Sequence, residues 1–236
     1  MNFLEIQRKL KDLELEIFTL NDLIKITQQK KEIIKSKLTI LVKQKKLFRL
    51  KKGYYALEKI ENKFKLQQTY KNTYIALHSA LEYYQSTTQR FNSLDLITKN
   101  ILNEQTVGET KVYFHKVKKN LFFGFKRVNV NNTEVFISNI EKTIIDSVYF
   151  SSKIYLTEID DFIKKYKEQI NVEILESYLN KINSSALNKR VAYLLELNKI
   201  KLKNLKMNDK YEKLNKNLSL KGKKYHELKL IINEEL

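Results

Sequence analysis

The chain has 236 residues, of which 42% are hydrophobic and 11% aromatic, enough to build a core, so wholesale disorder is excluded. It has no Cys, three widely separated His and four scattered Gly, which excludes disulfides, thiolate metal sites and glycine-rich phosphate loops. No apolar run reaches the roughly 18 residues that span a bilayer, and the first residues lack a secretory signal pattern. We therefore expect a soluble, cytoplasmic protein without a metal or cofactor.

The formal net charge is +18, and 40 of the 45 basic residues are Lys. This Lys-rich composition without Pro or Trp is typical of an AT-rich genome, so coding bias is one explanation of the total charge. The distribution is uneven, however. Positions 30–52 carry ten basic residues and one acid, and positions 199–229 carry eleven basic residues and three acids. Two separate basic blocks favour contact with the phosphates of a nucleic acid.

Three helices are predicted at the N-terminus. The first rests on apolar residues at spacings close to three and four: Phe3, Leu4, Ile6, Leu10, Leu13 and Ile17. Thr19 or Asn21 is a candidate N-cap for a short second helix that ends near Ile26. A third helix is predicted from Lys30 to Lys45, with one buried stripe formed by Ile34, Leu38, Leu41 and Val42.

Two short strands follow, 47–50 and 54–57, and Gly53 between them can take the positive φ of a tight hairpin. Three helices and a hairpin are the plan of a winged helix-turn-helix, whose third helix enters the major groove and whose hairpin lies along the phosphates. The expected DNA contacts are Gln29, Lys30, Lys31, Lys35, Ser36, Lys37, Thr39, Lys43, Arg49, Lys51 and Lys52. The alternative is that this charge run is only the solvated face of a surface helix.

The remaining pattern predicts an α+β fold. Residues 59–72 are polar and predict a linker or connecting helix with little core of its own, between a domain at 1–58 and a second at 73–236. A helix is predicted over 73–84, and strands at 94–98, 111–117, 122–128 and 134–137 predict a small, mainly antiparallel sheet with a turn at Asn131-Asn132. Further helices are predicted from Ser138 or Asn139 and over 157–167, 172–181 and 185–198.

Paired acids offer little basis for catalysis. Glu141 and Asp146 are five residues apart, which places them on different sides of a helix, so we expect capping and surface ion pairs there. Asp160-Asp161 is the only Asp-Asp pair, and it lies in a helical segment without a nearby Gly. Metal-assisted phosphoryl chemistry, as in a nucleotidyltransferase or nuclease, is therefore not expected, and no catalytic residue is predicted.

The basic segment 199–229 leaves three interpretations open: a second phosphate contact, a solvated tail, or a surface for an acidic or RNA-bearing partner. Within it, residues 218–224 predict a short strand, a turn and the start of a final helix.

Five motifs occur in order along the chain. They are RLKKGYYAL at 49–57, YIALHSAL at 74–81, LFFGF at 121–125, SNIEKTIID at 138–146 and RVAYLLE at 190–196. They resemble the "G-x-Y" wing and the "Y-I-S-x-x-S-A-L", "L-F-F-G-Y", "A-x-P-E-K-x-x-x-D" and "R-x-G-Y-L-L-E" segments of the AbiEi-like antitoxins and transcriptional regulators of abortive-infection type IV toxin–antitoxin systems. The chain departs from these patterns at Asn139-Ile140, Thr143 and Ala192.

The resemblance implies that a winged helix binds inverted repeats of double-stranded DNA in the promoter of its own operon and represses it. It also implies that the C-terminal domain counters a nucleotidyltransferase toxin, without requiring a direct complex. A two-fold symmetric operator favours a weak dimer or monomers paired on DNA. The alternative is a stand-alone winged-helix regulator without a toxin, and an adjacent nucleotidyltransferase gene distinguishes the two.

Overall fold

A computed structural model describes residues 2–89 and 91–236, so Met1 and Arg90 lie outside the described residues. The described chain is a mixed α+β protein with several helices and three sheets, which confirms the predicted class. No helix in this part of the chain is both long enough and apolar enough to cross a bilayer.

Residues 2–58 form a small unit with its own hydrophobic core. Its elements are α1 (Phe3–Asp12), β1 (Ile17–Thr19), α2 (Leu20–Thr27), α3 (Lys31–Lys43), β2 (Phe48–Lys51) and β3 (Tyr54–Ala56). Strand β3 lies between β1 and β2 in an antiparallel sheet. The predicted helices and hairpin are confirmed, and β1 is an additional strand.

Reciprocal caps fix the first two helices. The Asn2 side chain accepts a hydrogen bond from the Glu5 amide, and the Glu5 carboxylate accepts one from the Asn2 amide. Thr19 and Asp22 form the same pair at the start of α2. Each pair satisfies amides that the first turn of a helix leaves without partners.

The buried stripe of α3 is confirmed, because Ile34 and Leu38 are almost fully buried against Leu10, Phe18 and Leu23 in this core. The first helix is shorter than predicted. The chain leaves helical geometry at Glu14, whose φ is +53°, and Ile17, predicted to belong to the helix, lies in β1.

Residues 59–72 contribute to the main core, whereas the sequence predicts a linker or connecting helix with little core of its own. Lys63–Thr69 form a 3₁₀ helix, and Leu66 and Tyr70 are buried. Polar residues in this segment are buried too, because they have internal partners. The Gln67 amide donates to the Thr73 carbonyl and accepts from the Phe136 amide, which binds the segment to the central sheet.

A six-stranded sheet forms the centre of the remaining chain. It is built from β4 (Thr73–Ile75), β5 (Ser93–Thr98), β6 (Gln105–Val107), β7 (Thr110–Lys116), β8 (Phe125–Val130) and β9 (Thr133–Ser138), with α4 (Leu77–Tyr83) between β4 and β5. The strand order is β6-β7-β5-β4-β9-β8. Three of its five strand pairs are antiparallel, as predicted for the main part of the sheet, whereas β4–β9 and β5–β7 are parallel.

Two sequence predictions change in this sheet. The helix predicted from residue 73 begins at Leu77, because Thr73–Ile75 form a strand buried on both faces. Such a strand has a continuous apolar run that periodicity does not distinguish from a buried helix. Strand β8 starts at Phe125 rather than residue 122, whereas the turn at Asn131 and Asn132 is confirmed, both residues having positive φ.

Four helices follow the sheet in the chain, and the first of them packs against β9: α5 (Ile140–Tyr149), α6 (Leu156–Tyr166), α7 (Val172–Ile182) and α8 (Ser185–Leu197). The predicted helices are confirmed, and α5 contacts the other three.

The chain then forms a small sheet in the order β10-β12-β11, from β10 (Glu212–Lys213), β11 (Lys223–Tyr225) and β12 (Leu230–Ile232). The predicted final helix is wrong. Gly222 lies so close to Ile232 that a Cβ would stand 2.3 Å from its carbonyl oxygen, which favours paired strands there.

Candidate nucleic-acid interface

The exposed side of α3 is polar and largely basic. Because Ile34 and Leu38 are buried, the other side of the helix is directed away from the core. Five of the predicted contact residues on this helix are exposed: Lys31, Lys35, Ser36, Thr39 and Lys43. Ser36 and Lys43 lie opposite the buried stripe, Lys35 and Thr39 lie beside it, and Lys31 lies one turn before Ile34. Lys30, the N-cap residue, is also exposed, as is the acidic Glu32. The helix therefore presents cations and short polar side chains to solvent.

Three of the predicted DNA contacts, Gln29, Lys37 and Thr39, have hydrogen-bond partners within the protein. Lys37 Nζ donates a 2.9 Å hydrogen bond to Gln29 Oε1, and both side chains are half-buried. This bond uses the amide oxygen that a base edge would otherwise contact. Thr39 Oγ1 donates to the Lys35 carbonyl at 3.0 Å, so its hydroxyl is oriented to accept from a ligand.

The β2–β3 hairpin follows α3 directly and exposes Arg49 and Lys52. Gly53 closes the turn with a φ of +85°, as predicted. The pairing register shifts between Arg49 and Lys51, and an irregularity of this kind redirects side chains along a strand. Helix α3 and the hairpin together supply the cations that a phosphate backbone requires.

Lys51 occupies a different environment from its neighbours. Its Nζ lies 3.6 Å from the centroid of the Tyr70 ring and 5.0 Å from that of Tyr54. Burial lowers the pKa of Lys51 to about 8. The sequence predicts a DNA contact at this lysine. In the structure the side chain is half-buried and joins the hairpin to the 3₁₀ segment through a cation–π contact.

Sequence reasoning missed two apolar residues on the exposed side of α3. Ile33 is 46% exposed and Ile40 is 53% exposed. Neither belongs to the core or to the partly buried residues packed against it. They lie seven positions apart, so the same 3.6-residue period that identified the buried stripe places them together on the opposite side.

A second cluster of charges lies in the main core. Lys142 Nζ forms an ion pair with Asp146, and both side chains are essentially inaccessible to solvent. Tyr74 Oη donates to the other Asp146 oxygen at 2.9 Å. Burial raises the pKa of Tyr74 well above its usual value and raises that of Asp146 against the effect of Lys142. The ion pair of Asp146, expected at the surface, is therefore buried within α5, and the Tyr74 hydrogen bond to Asp146 joins α5 to β4.

The other carboxylates singled out by the sequence also have structural partners. Glu141 is buried and accepts a 2.9 Å hydrogen bond from the Asn171 amide. Asp160 is buried and accepts from Asn198 Nδ2 at 2.6 Å, whereas Asp161 is exposed. Among the described residues, no group of three or more His, Asp or Glu is arranged to hold a metal ion.

The basic segment 199–229 remains largely exposed. Two of its lysines pack on one aromatic ring, with Lys224 Nζ 5.3 Å and Lys229 Nζ 5.6 Å from the Tyr211 centroid. The three interpretations of the segment stay open.

Comparison with known proteins gives a structural similarity but no sequence match. No family model matches the chain, and no curated protein sequence matches it. The crystal structure of the RV2827C protein from Mycobacterium tuberculosis is similar, with a TM-score of 0.65 and 12% sequence identity. The similarity covers 96% of this chain and 89% of that one. At this identity the similarity concerns the fold, which the two chains share over nearly their whole length.

Proposed function

We propose that the protein binds double-stranded DNA through a winged helix formed by residues 1–58. In this proposal α3 lies in the major groove, which admits an α-helix, and the β2–β3 hairpin lies along the phosphate backbone. The observation that carries it is the joint exposure of cations on one helix, whose apolar stripe is buried, and on the adjoining hairpin. These cations are Lys31, Lys35, Lys43, Arg49 and Lys52.

We further propose that this binding represses the protein's own promoter, and that the protein is the antitoxin of an AbiEi-like type IV system that counters a nucleotidyltransferase toxin. The ordered sequence motifs support this role. Residues of three of them meet in the core, where Tyr74 donates to Asp146 and stacks on Phe125 at 4.9 Å. Toxicity of an adjacent nucleotidyltransferase and its suppression by this chain in co-expression test the role. Absence of such a gene favours a stand-alone regulator.

DNA binding is tested by titrating the full chain with the duplex upstream of its own reading frame at several salt concentrations. Each phosphate contact adds about −0.9 to the slope of log affinity against log salt, so the proposal predicts a steep negative slope. Binding that is insensitive to salt, or no binding to any duplex, would contradict it. A repressor also binds its own upstream duplex more tightly than an unrelated duplex of equal length.

A further inference from the structure

The exposed pair Ile33 and Ile40 has a defined position on the proposed reading helix. Single exposed apolar residues are ordinary on a protein surface. These two, however, flank Ser36 at i−3 and i+4 and therefore share one side of α3 with it. Seven residues of helix span about 10.5 Å, the rise of roughly three base-pair steps of B-DNA. The pair is therefore spaced to contact two bases on one groove edge.

The charge of the surrounding surface indicates which kind of partner binds over the two isoleucines. Lys43 is exposed one turn after Ile40, and Lys35 and Arg49 are exposed on the rest of the helix and on the hairpin, against one exposed acid of α3, Glu32. A second copy of this chain docked through α3 would bring two surfaces of net positive charge against one another, and like charges repel. A DNA duplex instead supplies phosphates for the cations. It also supplies an apolar group on its major-groove edge, the thymine C5-methyl.

We propose that Ile33 and Ile40 recognise thymine methyl groups in the major groove. The preferred site then has thymines about three base pairs apart under α3. Ser36, between the two isoleucines, contacts the intervening base edges. This inference rests on the proposed DNA binding and adds to it the class of base that the helix selects.

The test uses the duplex upstream of the protein's own reading frame and a matched duplex in which every thymine is replaced by uracil. Uracil pairs like thymine and lacks only the C5-methyl. Burying one CH₂ or methyl group is worth about 0.8 kcal/mol, so the loss of each contacted methyl weakens binding about fourfold. For two methyls the wild-type protein binds the uracil duplex about 15-fold more weakly.

The variant Ile33→Ala/Ile40→Ala separates methyl recognition from general effects of uracil on the duplex. We expect it to bind the thymine duplex more weakly than the wild type and to have lost most of its preference for thymine over uracil. Ile101→Ala, which changes an isoleucine exposed elsewhere on the chain, serves as the matched control and keeps the wild-type preference.

Equal binding of the wild type to both duplexes would overturn the inference while leaving DNA binding intact. A uracil penalty that persists unchanged in the double-alanine variant would also overturn it, because the penalty would then arise elsewhere. If the double-alanine variant lost a dimer that the wild type forms without DNA, the pair would be a self-association surface instead. No binding to any duplex removes the proposed function, and this inference with it.

Discussion

Lys51 and Lys52 are adjacent in sequence but are predicted to respond differently to substitution. Lys52 is exposed at the hairpin turn, whereas Lys51 Nζ lies 3.6 Å from the Tyr70 ring centroid. We expect Lys52→Met to remove one phosphate contact and to reduce the magnitude of the salt slope by about 0.9. Lys51 packs on Tyr70 and makes no phosphate contact in this account, so the salt slope of Lys51→Met should equal that of the wild type. The unbranched Met side chain keeps the packing on Tyr70.

The same contact predicts how affinity changes with salt. Salt rising from 50 to 200 mM weakens one phosphate contact about 3.5-fold, so the affinity difference between wild type and Lys52→Met shrinks by that factor. Fluorescence anisotropy with a labelled duplex measures these affinities. The ratio of wild-type affinity to Lys51→Met affinity should stay constant over the same salt range. Equal slope losses in both variants would refute the placement of Lys51 against Tyr70. Wild-type slopes in both would refute contact between the hairpin and DNA.

Three further predictions concern stability. Asp146→Asn leaves Lys142 buried without its counter-charge, so we expect urea unfolding to show a loss of about 3–5 kcal/mol in stability. The double variant Lys142→Met/Asp146→Leu should recover most of this loss. An Asp146→Asn protein within about 1 kcal/mol of the wild type would contradict the prediction. Gly124→Ala places a Cβ 2.9 Å from Tyr178 and 3.0 Å from Lys142 at a φ of +73°, so we expect a loss of about 1–3 kcal/mol, and an unchanged melting curve would argue against this packing. The pKa of Lys51 is lowered to about 8 in the folded protein, so the unfolded chain binds more protons than the folded one above that pH. The free energy of unfolding of the wild type, relative to that of Lys51→Met, should therefore rise from pH 7 to pH 10. Parallel profiles of unfolding free energy against pH would contradict the lowered pKa.

The sequence predicts well those elements whose signal is local. The period of Ile34 and Leu38 identifies α3 and its buried side, and Gly53 identifies the hairpin turn. The long amphipathic helices after residue 139 are predicted for the same reason. The buried strand Thr73–Ile75 is missed because a strand covered on both faces lacks an alternating pattern.

The remaining errors come from tertiary contacts. The 59–72 segment is polar enough to suggest a linker, yet Gln67 is buried because strand backbone groups satisfy its amide. In the sequence, Lys51 does not differ from the other cations of the hairpin. Its contact with the Tyr70 ring could not be predicted, because Tyr70 lies in the segment predicted as a linker or connecting helix. Asp146 is predicted to form a surface ion pair, yet its pair with Lys142 is buried, because no local pattern reveals that α5 is buried on this side.

Entry of α3 into the major groove is the central claim, and methylation interference on the upstream duplex tests it most directly. Guanine N7 faces the major groove, so methylating it obstructs a helix bound there without closing the minor groove. We predict that N7 methylation within the site abolishes binding, while a ligand that fills the minor groove leaves it unchanged. Binding that tolerates N7 methylation and is blocked by the minor-groove ligand would contradict the account.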